Sequence, residues 1–222
     1  GKSTIALTLS LAACNGSTTP IDPCSDTNEV SEFICGDSEL SSGAHDATLS
    51  TIQMTSNQSP VYGTIEADTF VATSGFLTSR TVIDGGAGKD TLSLNLQDSV
   101  KKSPIIKNIE NISLTSYGDY SLDLSKVTDL EYILSQQSLG KITLNNLTDA
   151  STVFGFSGNG INSTILTSND LGGSSDILKL HLVEASNVSF QAPLGYEEIE
   201  IELIGSSSLS YLLANGVSTA SV

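Results

Sequence analysis

From Val61 onwards the chain is divided into short apolar segments that are separated by glycine, asparagine and serine. The segments predicted to be strands are Thr69–Ala72, Thr81–Ile83, Thr91–Leu96, Asn111–Thr115, Tyr120–Leu124, Tyr132–Leu134, Lys141–Leu144, Thr152–Phe156, Ser163–Thr167, Ile177–Leu182, Asn187–Phe190, Glu198–Leu203 and Leu209–Leu213. No long stretch among them keeps the period of an amphipathic helix. Strands this short and this closely spaced predict an all-β fold, and they favour a solenoid or a sandwich over an α/β fold.

One pattern occurs twice within this region. Ile109–Leu114 is followed by Tyr120–Leu124, and Glu197–Leu203 is followed by Ser208–Leu212. Each pair contains an acidic residue, an alternating strand, a polar turn and a second strand, as expected of repeated units. The second copy stops just after its second strand. Because an open rung exposes unpaired backbone groups, we expect either that the native chain continues past Val222 or that a partner covers this rung.

The charge of the chain narrows the classes of partner. The 222 residues include 25 acidic and 9 basic side chains, for a formal charge of −16. Phosphate recognition needs clustered lysine and arginine, so a nucleic-acid partner is not expected. Strong acidity suits calcium or a surface of opposite charge. Valine, isoleucine and leucine remain plentiful, which argues against intrinsic disorder.

Residues 1–14 leave two interpretations open. Leu11–Cys14 fits a lipobox, the cleavage site of a bacterial lipoprotein signal that ends in an acylated cysteine. Isoleucine and leucine also occupy every second position from Ile5 to Leu11, which is the period of a half-buried strand. We therefore expect either a lipid anchor at Cys14 or a retained strand that pairs with a neighbouring molecule. The apolar run is too short to span a bilayer.

Residues 15–60 are rich in serine, threonine, asparagine, aspartate and proline, and they predict a loosely structured leader. The chain has three cysteines, Cys14, Cys24 and Cys35. If Cys14 carries lipid, Cys24 and Cys35 remain as a pair that would close a small disulfide loop in an oxidising compartment. Free thiols are the alternative. Two cysteines without a nearby histidine pair are too few ligands for zinc.

The turn at Gly85–Leu92 has the chemistry of a calcium ligand set. Its glycines allow tight turning and direct carbonyl oxygens inward, and aspartates add the carboxylate oxygens that calcium prefers. The predicted metal ligands are Asp84, Gly85, Gly86, Gly88 and Asp90. The other interpretation is a tight turn in which an aspartate accepts backbone N–H groups, an Asx turn.

One such turn supplies only part of the ligand set, because calcium takes about 6–8 oxygen ligands. Glu66 and Asp68 are the best additional donors, since their turn precedes the glycine turn by a distance that suits one coil. The sequence therefore predicts a single calcium site shared by two adjacent turns.

These motifs resemble those of a known family. Gly85–Leu92 fits G-G-x-G-x-D-x-U, with U a large apolar residue, which is the calcium-binding unit of repeats-in-toxin (RTX) proteins. Gly63–Phe70 resembles the G-T-x-x-x-D-T-F turn that often precedes the glycine repeat in bacterial surface-layer proteins and RTX adhesins. Ile106–Ile112, Leu122–Thr128 and Lys141–Leu147 follow in the same order. Over residues 61–222 the chain is similar to the calcium-dependent surface-layer proteins of the Caulobacter and Campylobacter type.

The resemblance implies a parallel β-solenoid that assembles into sheets or filaments on a cell surface, with Ca²⁺ between rungs or subunits. An RTX roll has many tandem copies of the glycine motif, whereas this chain has one good copy. The segment Gly172–Leu178 is one residue short and lacks the third glycine, so its acidic residues Asp170 and Asp176 are weaker candidates. A tandem ladder of ions is therefore excluded. The lipobox-like start is also unusual for this family.

Sequence features of an enzyme are sparse. The chain has two histidines, His45 in the leader and His181 between two leucines of a predicted strand, where it would face the surface. There is no G-x-S-x-G, H-E-x-x-H or phosphate-binding loop. Glu198, Glu200 and Glu202 alternate with apolar residues. They either bind cations or a basic partner or, as we favour, form the solvated face of one strand.

Taken together, the sequence predicts an all-β parallel β-solenoid, similar to a β-roll or β-helix, over residues 61–222, preceded by the leader. We expect an extracellular, non-enzymatic structural protein that binds Ca²⁺ and associates with copies of itself into a layer or filament. The alternative is a surface adhesin, anchored in the outer membrane through a lipid on Cys14, that presents one face to a cell-surface glycan or a protein.

Overall fold

The computed structural model describes residues 50–55, 59–100, 103–160, 162–167, 175–192, 195–214, 217 and 219–222. Within these residues the chain is a parallel β-solenoid of about seven turns, as predicted. No helix in this described part has the length and apolarity needed to cross a bilayer. The expectations for residues 1–14, for the pair Cys24 and Cys35, and for His45 lie outside the described residues.

The strands form three parallel sheets. The nine-stranded sheet contains, in spatial order, β1 (Ser50–Gln53), β3 (Asp68–Thr73), β5 (Thr91–Leu96), β7 (Asn111–Ser116), β9 (Tyr132–Gln136), β11 (Val153–Ser157), β13 (Ile177–Val183), β15 (Glu198–Ile204) and β17 (Thr219–Ser221). The five-stranded sheet contains β8 (Tyr120–Asp123), β10 (Ile142–Asn145), β12 (Ser163–Thr167), β14 (Val188–Ala192) and β16 (Leu209–Ala214). The three-stranded sheet contains β2 (Val61–Tyr62), β4 (Val82–Asp84) and β6 (Ile105–Lys107).

The core consists of columns of side chains that stack from coil to coil. Strands such as β5 and β7 alternate half-buried and buried residues, so every second side chain points inward. The strand register places these inward residues directly over one another. One such column contains Phe70, Leu92, Ile112, Ile133, Phe154, Leu180 and Ile201. All of them are buried, so the apolar interior is continuous along the solenoid axis.

Between consecutive strands of the nine-stranded sheet the chain adds a strand to one of the two smaller sheets, and the sheet that receives it changes along the axis. The three-stranded sheet receives it in the first coils, and Val127 extends that sheet by a single bridge to Ile106. The five-stranded sheet takes over in the later coils, with Val100 bridged to Leu122 at its start. Coils where both meet therefore have three sides.

The predicted strands agree with the structure to within two residues at their ends. Four further strands were missed: β1, β2, β6 and β17. The predicted boundary at residue 61 was wrong, because β1 lies before it and pairs with β3, Ser50 opposite Asp68. β1 has the sequence Ser-Thr-Ile-Gln and its residues are exposed or half-buried, so it lacks the buried apolar residues on which the prediction depended.

An aromatic cluster fills the interior between the later coils. Phe190 of β14 is fully buried, and its ring centroid lies 5.1 Å from that of Phe154 and 6.1 Å from that of Phe156. Aromatic pairs at such distances stabilise a core beyond the area that they bury.

Asp123, at the end of β8, bonds to the coils on both sides of its own. Its carboxylate accepts hydrogen bonds from the Ser103 hydroxyl (2.8 Å) and the Asn146 side-chain amide (3.1 Å), and from the Ser125 backbone N–H (2.9 Å). Burial acts to raise the pKa of Asp123, but the hydrogen bonds outweigh it, and the pKa is lowered.

Replacement of Phe190 by alanine should lower the free energy of unfolding by about 3–5 kcal/mol, because it leaves a cavity in the core. Urea denaturation followed by circular dichroism measures this loss. Ile65→Ala is the control, since Ile65 is 80% exposed and its replacement should cost no more than about 0.5 kcal/mol. Equal losses in the two variants would contradict the assigned core.

The replacement Asp123→Asn should destabilise the protein by about 1 kcal/mol at neutral pH. Because the folded pKa of Asp123 lies below the unfolded one, its stabilisation is present above the ordinary aspartate pKa of about 3.9 and is lost as the pH falls through the folded value. Denaturation curves at several pH values should show the gap between wild type and variant closing in acid. The exposed Asp98→Asn is the control, and it should change the free energy of unfolding at neutral pH by no more than about 0.5 kcal/mol.

Candidate functional site

The two turns predicted to share a metal lie on adjacent coils. β2 pairs with β4, with Tyr62 opposite Asp84. The Gly63 N–H donates to the Asp84 carbonyl (2.8 Å), and the Ala87 N–H donates to the Thr64 carbonyl (3.1 Å). The turn that carries Glu66 and Asp68 is therefore stacked directly on the glycine turn, at the spacing expected from the sequence.

The glycines of this turn are required by the stacking of the coils. A Cβ atom on Gly85 would lie 1.9 Å from the Asn108 carbonyl oxygen of the next coil. Gly86 has φ +95° and Gly88 has φ +114°, in the left-handed region that favours glycine. The glycines thus have a structural role that does not depend on a metal.

Asp68 and Asp90 are buried carboxylates, 1% and 0% exposed, that lie one above the other. The Asp68 backbone N–H donates to Oδ1 of Asp90 (2.7 Å). Oδ2 of Asp68 accepts hydrogen bonds from the backbone N–H (2.6 Å) and the hydroxyl (2.9 Å) of Thr64. Oδ1 of Asp68 and Oδ2 of Asp90 are buried with no hydrogen-bond partner.

These two side chains belong to an acidic column, which we define as Asp68, Asp90, Glu110 and Glu131, stacked in register on four successive coils. Each member begins or directly precedes a strand of the nine-stranded sheet. The column also bonds from coil to coil, since Oε2 of Glu110 accepts the Asp90 N–H (2.7 Å). A separate stacked pair in later coils bonds in the same way: Oε2 of Glu197 accepts the Asp176 N–H (2.8 Å). Glu110 was not among the predicted ligands, although an acidic residue before a strand was part of the repeated pattern.

The charges around Asp90 are mostly negative. Burial raises the pKa of Asp90, the hydrogen bond from the Asp68 N–H lowers it, and the charges of Glu110, Asp68 and Asp84 raise it further, so that the pKa is raised overall. Lys89, next in sequence, forms an ion pair with Glu131 at 2.9 Å in which both side chains are largely exposed. The buried carboxylate of Asp90 therefore favours either a proton or a cation.

Asp84 and Glu66 differ from these two buried carboxylates. Oδ1 of Asp84 accepts the Gly86 backbone N–H (3.2 Å) and the Asn108 side-chain amide (2.7 Å). This geometry is the Asx turn that was the alternative to a metal ligand. The Glu66 side chain is exposed.

A calcium ion fits this site only in part. The described residues contain no group of three histidine, cysteine, aspartate or glutamate side chains placed to hold a metal. The unpartnered oxygens of Asp68 and Asp90 are nevertheless buried anionic groups that a hard cation would satisfy. These two residues are the best ligands that the described chain offers.

The remaining candidates have the following positions. Asp170 and Gly172–Ser174 lie outside the described residues, as does Cys14. Glu200 pairs with Lys179, and Glu202 with His181, each at 3.5 Å on the outer face of the sheet. His181 is half-buried on that face, as predicted, and its ring centroid lies 6.0 Å from that of Tyr132. Glu200 and Glu202, which are exposed, match the solvated-face interpretation.

The replacement Gly85→Ala should destabilise the protein by about 1–3 kcal/mol, because its new methyl group overlaps the next coil. Thermal denaturation in chelator, where calcium has no influence, measures the structural effect alone. Gly75→Ala is the matched control, since its nearest atom would be the Thr73 hydroxyl at 3.9 Å, an ordinary contact. The stacking of the turns would be contradicted if the two alanine variants had the same melting temperature.

No protein-family model matches the chain, and comparison with curated proteins and with solved structures found no significant match. The function is accordingly inferred from the geometry of the turns and faces of the solenoid.

Proposed function

We propose that this chain is a structural protein of the cell exterior that associates with copies of itself into a surface layer or filament, and that Ca²⁺ stabilises it. The observation that carries the proposal is the stacked pair of buried carboxylates, Asp68 and Asp90, each with an unpartnered oxygen. A fold that buries two adjacent acidic groups gains stability when a cation neutralises them.

The strand edges support association. Within the described residues, β1 and β17 each have one neighbour in their sheet. The outward backbone groups of such a strand can bond to a strand of another molecule. Side chains of the last described coils add apolar surface, since Leu203 and Tyr211 are 45% and 46% exposed.

The net charge explains why a cation would matter for assembly. Molecules with a formal charge of −16 repel one another at low ionic strength. When bound, calcium would supply positive charge at the acidic column, with Asp68 and Asp90 as ligands. The same ion would join two consecutive coils and favour the folded state by mass action.

The proposed role involves no catalytic step. His181 is the one histidine in the described part of the chain, and it lies on the outer face of the sheet beside Glu202 and Tyr132. A solvent-facing strand surface of this kind does not exclude water from a reacting group as catalytic clefts do.

At a calcium concentration about 100 times the Kd of the site, the wild-type protein should melt about 5–10 °C higher than it does in chelator. Asp90→Asn should abolish this shift, because the amide removes a buried anionic ligand. Asp119→Asn is the matched control: Asp119 also accepts a hydrogen bond from another coil, the Lys141 N–H at 2.8 Å, but it is exposed and lies outside the acidic column. Its variant should keep the full calcium shift.

Assembly is tested separately by sedimentation and negative-stain electron microscopy of the full chain. We expect ordered polymers in calcium that disperse in chelator, and fewer polymers for Asp90→Asn. If calcium raises the melting temperature but no polymers form, the ion site is supported and the structural role is overturned. Monomers that neither melt differently nor assemble in calcium would overturn both.

A further inference from the structure

A long groove lies at the corner where the chain leaves the nine-stranded sheet. Its cavity has a volume of about 640 Å³, within the range of about 300–1,000 Å³ typical of ligand sites. Residues from five successive coils line it, from Tyr117 after β7 to Ser206 after β15. At the usual strand spacing of about 4.8 Å, the groove is about 19 Å long and runs along the solenoid axis.

The corner has a regular construction. Gln137, Gly158, Glu184 and Gly205 occupy equivalent positions in four consecutive coils, and all four are left-handed, with φ of 48°, 80°, 49° and 67°. Long side chains alternate with glycines. A Cβ on Gly158 would lie 2.6 Å from Cγ of Gln137, and one on Gly205 would lie 2.0 Å from a carboxylate oxygen of Glu184. The glycines therefore make room for the polar side chains that line the groove.

The lining combines apolar surface with neutral hydrogen-bonding groups. Tyr117 and Leu139 are 63% and 53% exposed, and they bring apolar side-chain surface from two adjacent coils to the same groove. Gln137 and Asn159 add side-chain amides, and Oδ1 of Asn159 accepts the Ser186 hydroxyl (3.1 Å), which holds that amide in position. Such a surface can pack against the apolar face of a ligand and bond to its hydroxyl groups.

Charge excludes several classes of ligand. Of the described residues that line the groove, none is basic, and Glu184 contributes a carboxylate. Phosphates, sulfates and acidic sugars need basic partners, so they do not suit this surface. A nucleic acid is excluded for the same reason.

The backbone of the groove does not offer a strand edge. The N–H groups of Gln137, Leu139 and Glu184 donate to carbonyl oxygens of adjacent coils at 2.7–3.0 Å. An extended peptide that bound as an added strand would need free N–H and carbonyl groups. Recognition in this groove must therefore come from side chains.

We propose that the groove binds a neutral glycan chain. Tyr117 and Leu139 pack against the apolar faces of sugar rings, and Gln137, Asn159 and Glu184 bond to hydroxyl groups on successive rings. The length of the groove suits a linear oligosaccharide better than a single sugar. The site is independent of the calcium turns and of self-association, and it lies at a different corner of the solenoid.

The test is titration calorimetry of the full chain with neutral hexasaccharides: cellohexaose, maltohexaose, mannohexaose and N-acetylated chitohexaose. Polygalacturonic acid serves as the acidic probe. We expect saturable binding of at least one neutral hexasaccharide and no binding of polygalacturonic acid. Tyr117→Ala should weaken that binding about tenfold, as truncation of an aromatic anchor does.

Tyr62→Ala is the matched control, because Tyr62 is 66% exposed but lies on the three-stranded sheet, away from the groove. It should bind as the wild type does, and both variants should keep the wild-type circular dichroism and melting temperature. The proposal is overturned if no neutral hexasaccharide saturates the protein, if polygalacturonic acid binds more tightly, or if the two tyrosine variants lose affinity equally. Binding of a peptide instead would also overturn it.

Discussion

The structure depends on parallel hydrogen bonding between successive coils at nearly constant register. Because each strand of the nine-stranded sheet pairs in parallel with the same segment of the next coil, equivalent residues lie above one another along the axis. Inward positions then form apolar columns such as Phe70, Leu92 and Ile112. Corner positions form columns as well, and the residues at these positions must adopt the same turn conformation in every coil. Like residues are therefore placed in contact whether their interaction is favourable or not.

Apolar and charged columns have opposite consequences. Stacked leucines and phenylalanines exclude water and stabilise one another, whereas stacked carboxylates repel. The chain offsets this repulsion in the acidic column by directing backbone N–H groups at the carboxylates, as the Asp68 N–H does to Asp90. The compensation is incomplete, because one oxygen on each of Asp68 and Asp90 has no partner. A cation bound between these two carboxylates would therefore act directly on the energy of the fold.

Alternation and turn residues sufficed to predict most strands and the stacking of the two turns. In Thr91–Leu96 every second residue is leucine and the others are polar, and the segment forms β5 with the predicted first and last residues. β1 was missed because a short polar strand is recognisable only by its partner. The Asx geometry of Asp84 and the unpartnered oxygens depend on the positions of single atoms, which no spacing rule contains. The groove was not foreseen either. Tyr117, Asn159 and Glu184 line it together only because strands of successive coils pair in parallel, and the number of residues per coil, which differs from coil to coil, is not evident from the sequence.

The orientation of the inter-strand hydrogen bonds has a mechanical consequence. In a parallel solenoid these bonds point along the axis, while the covalent chain runs around it. Tension along the axis loads the bonds of one rung at a time, so we expect coils to peel off in sequence at low force. Tension across the axis acts on the covalent chain and on many bonds together. Such a molecule would be compliant in one direction and stiff in the other, and its alignment in any assembly would determine which property the assembly has.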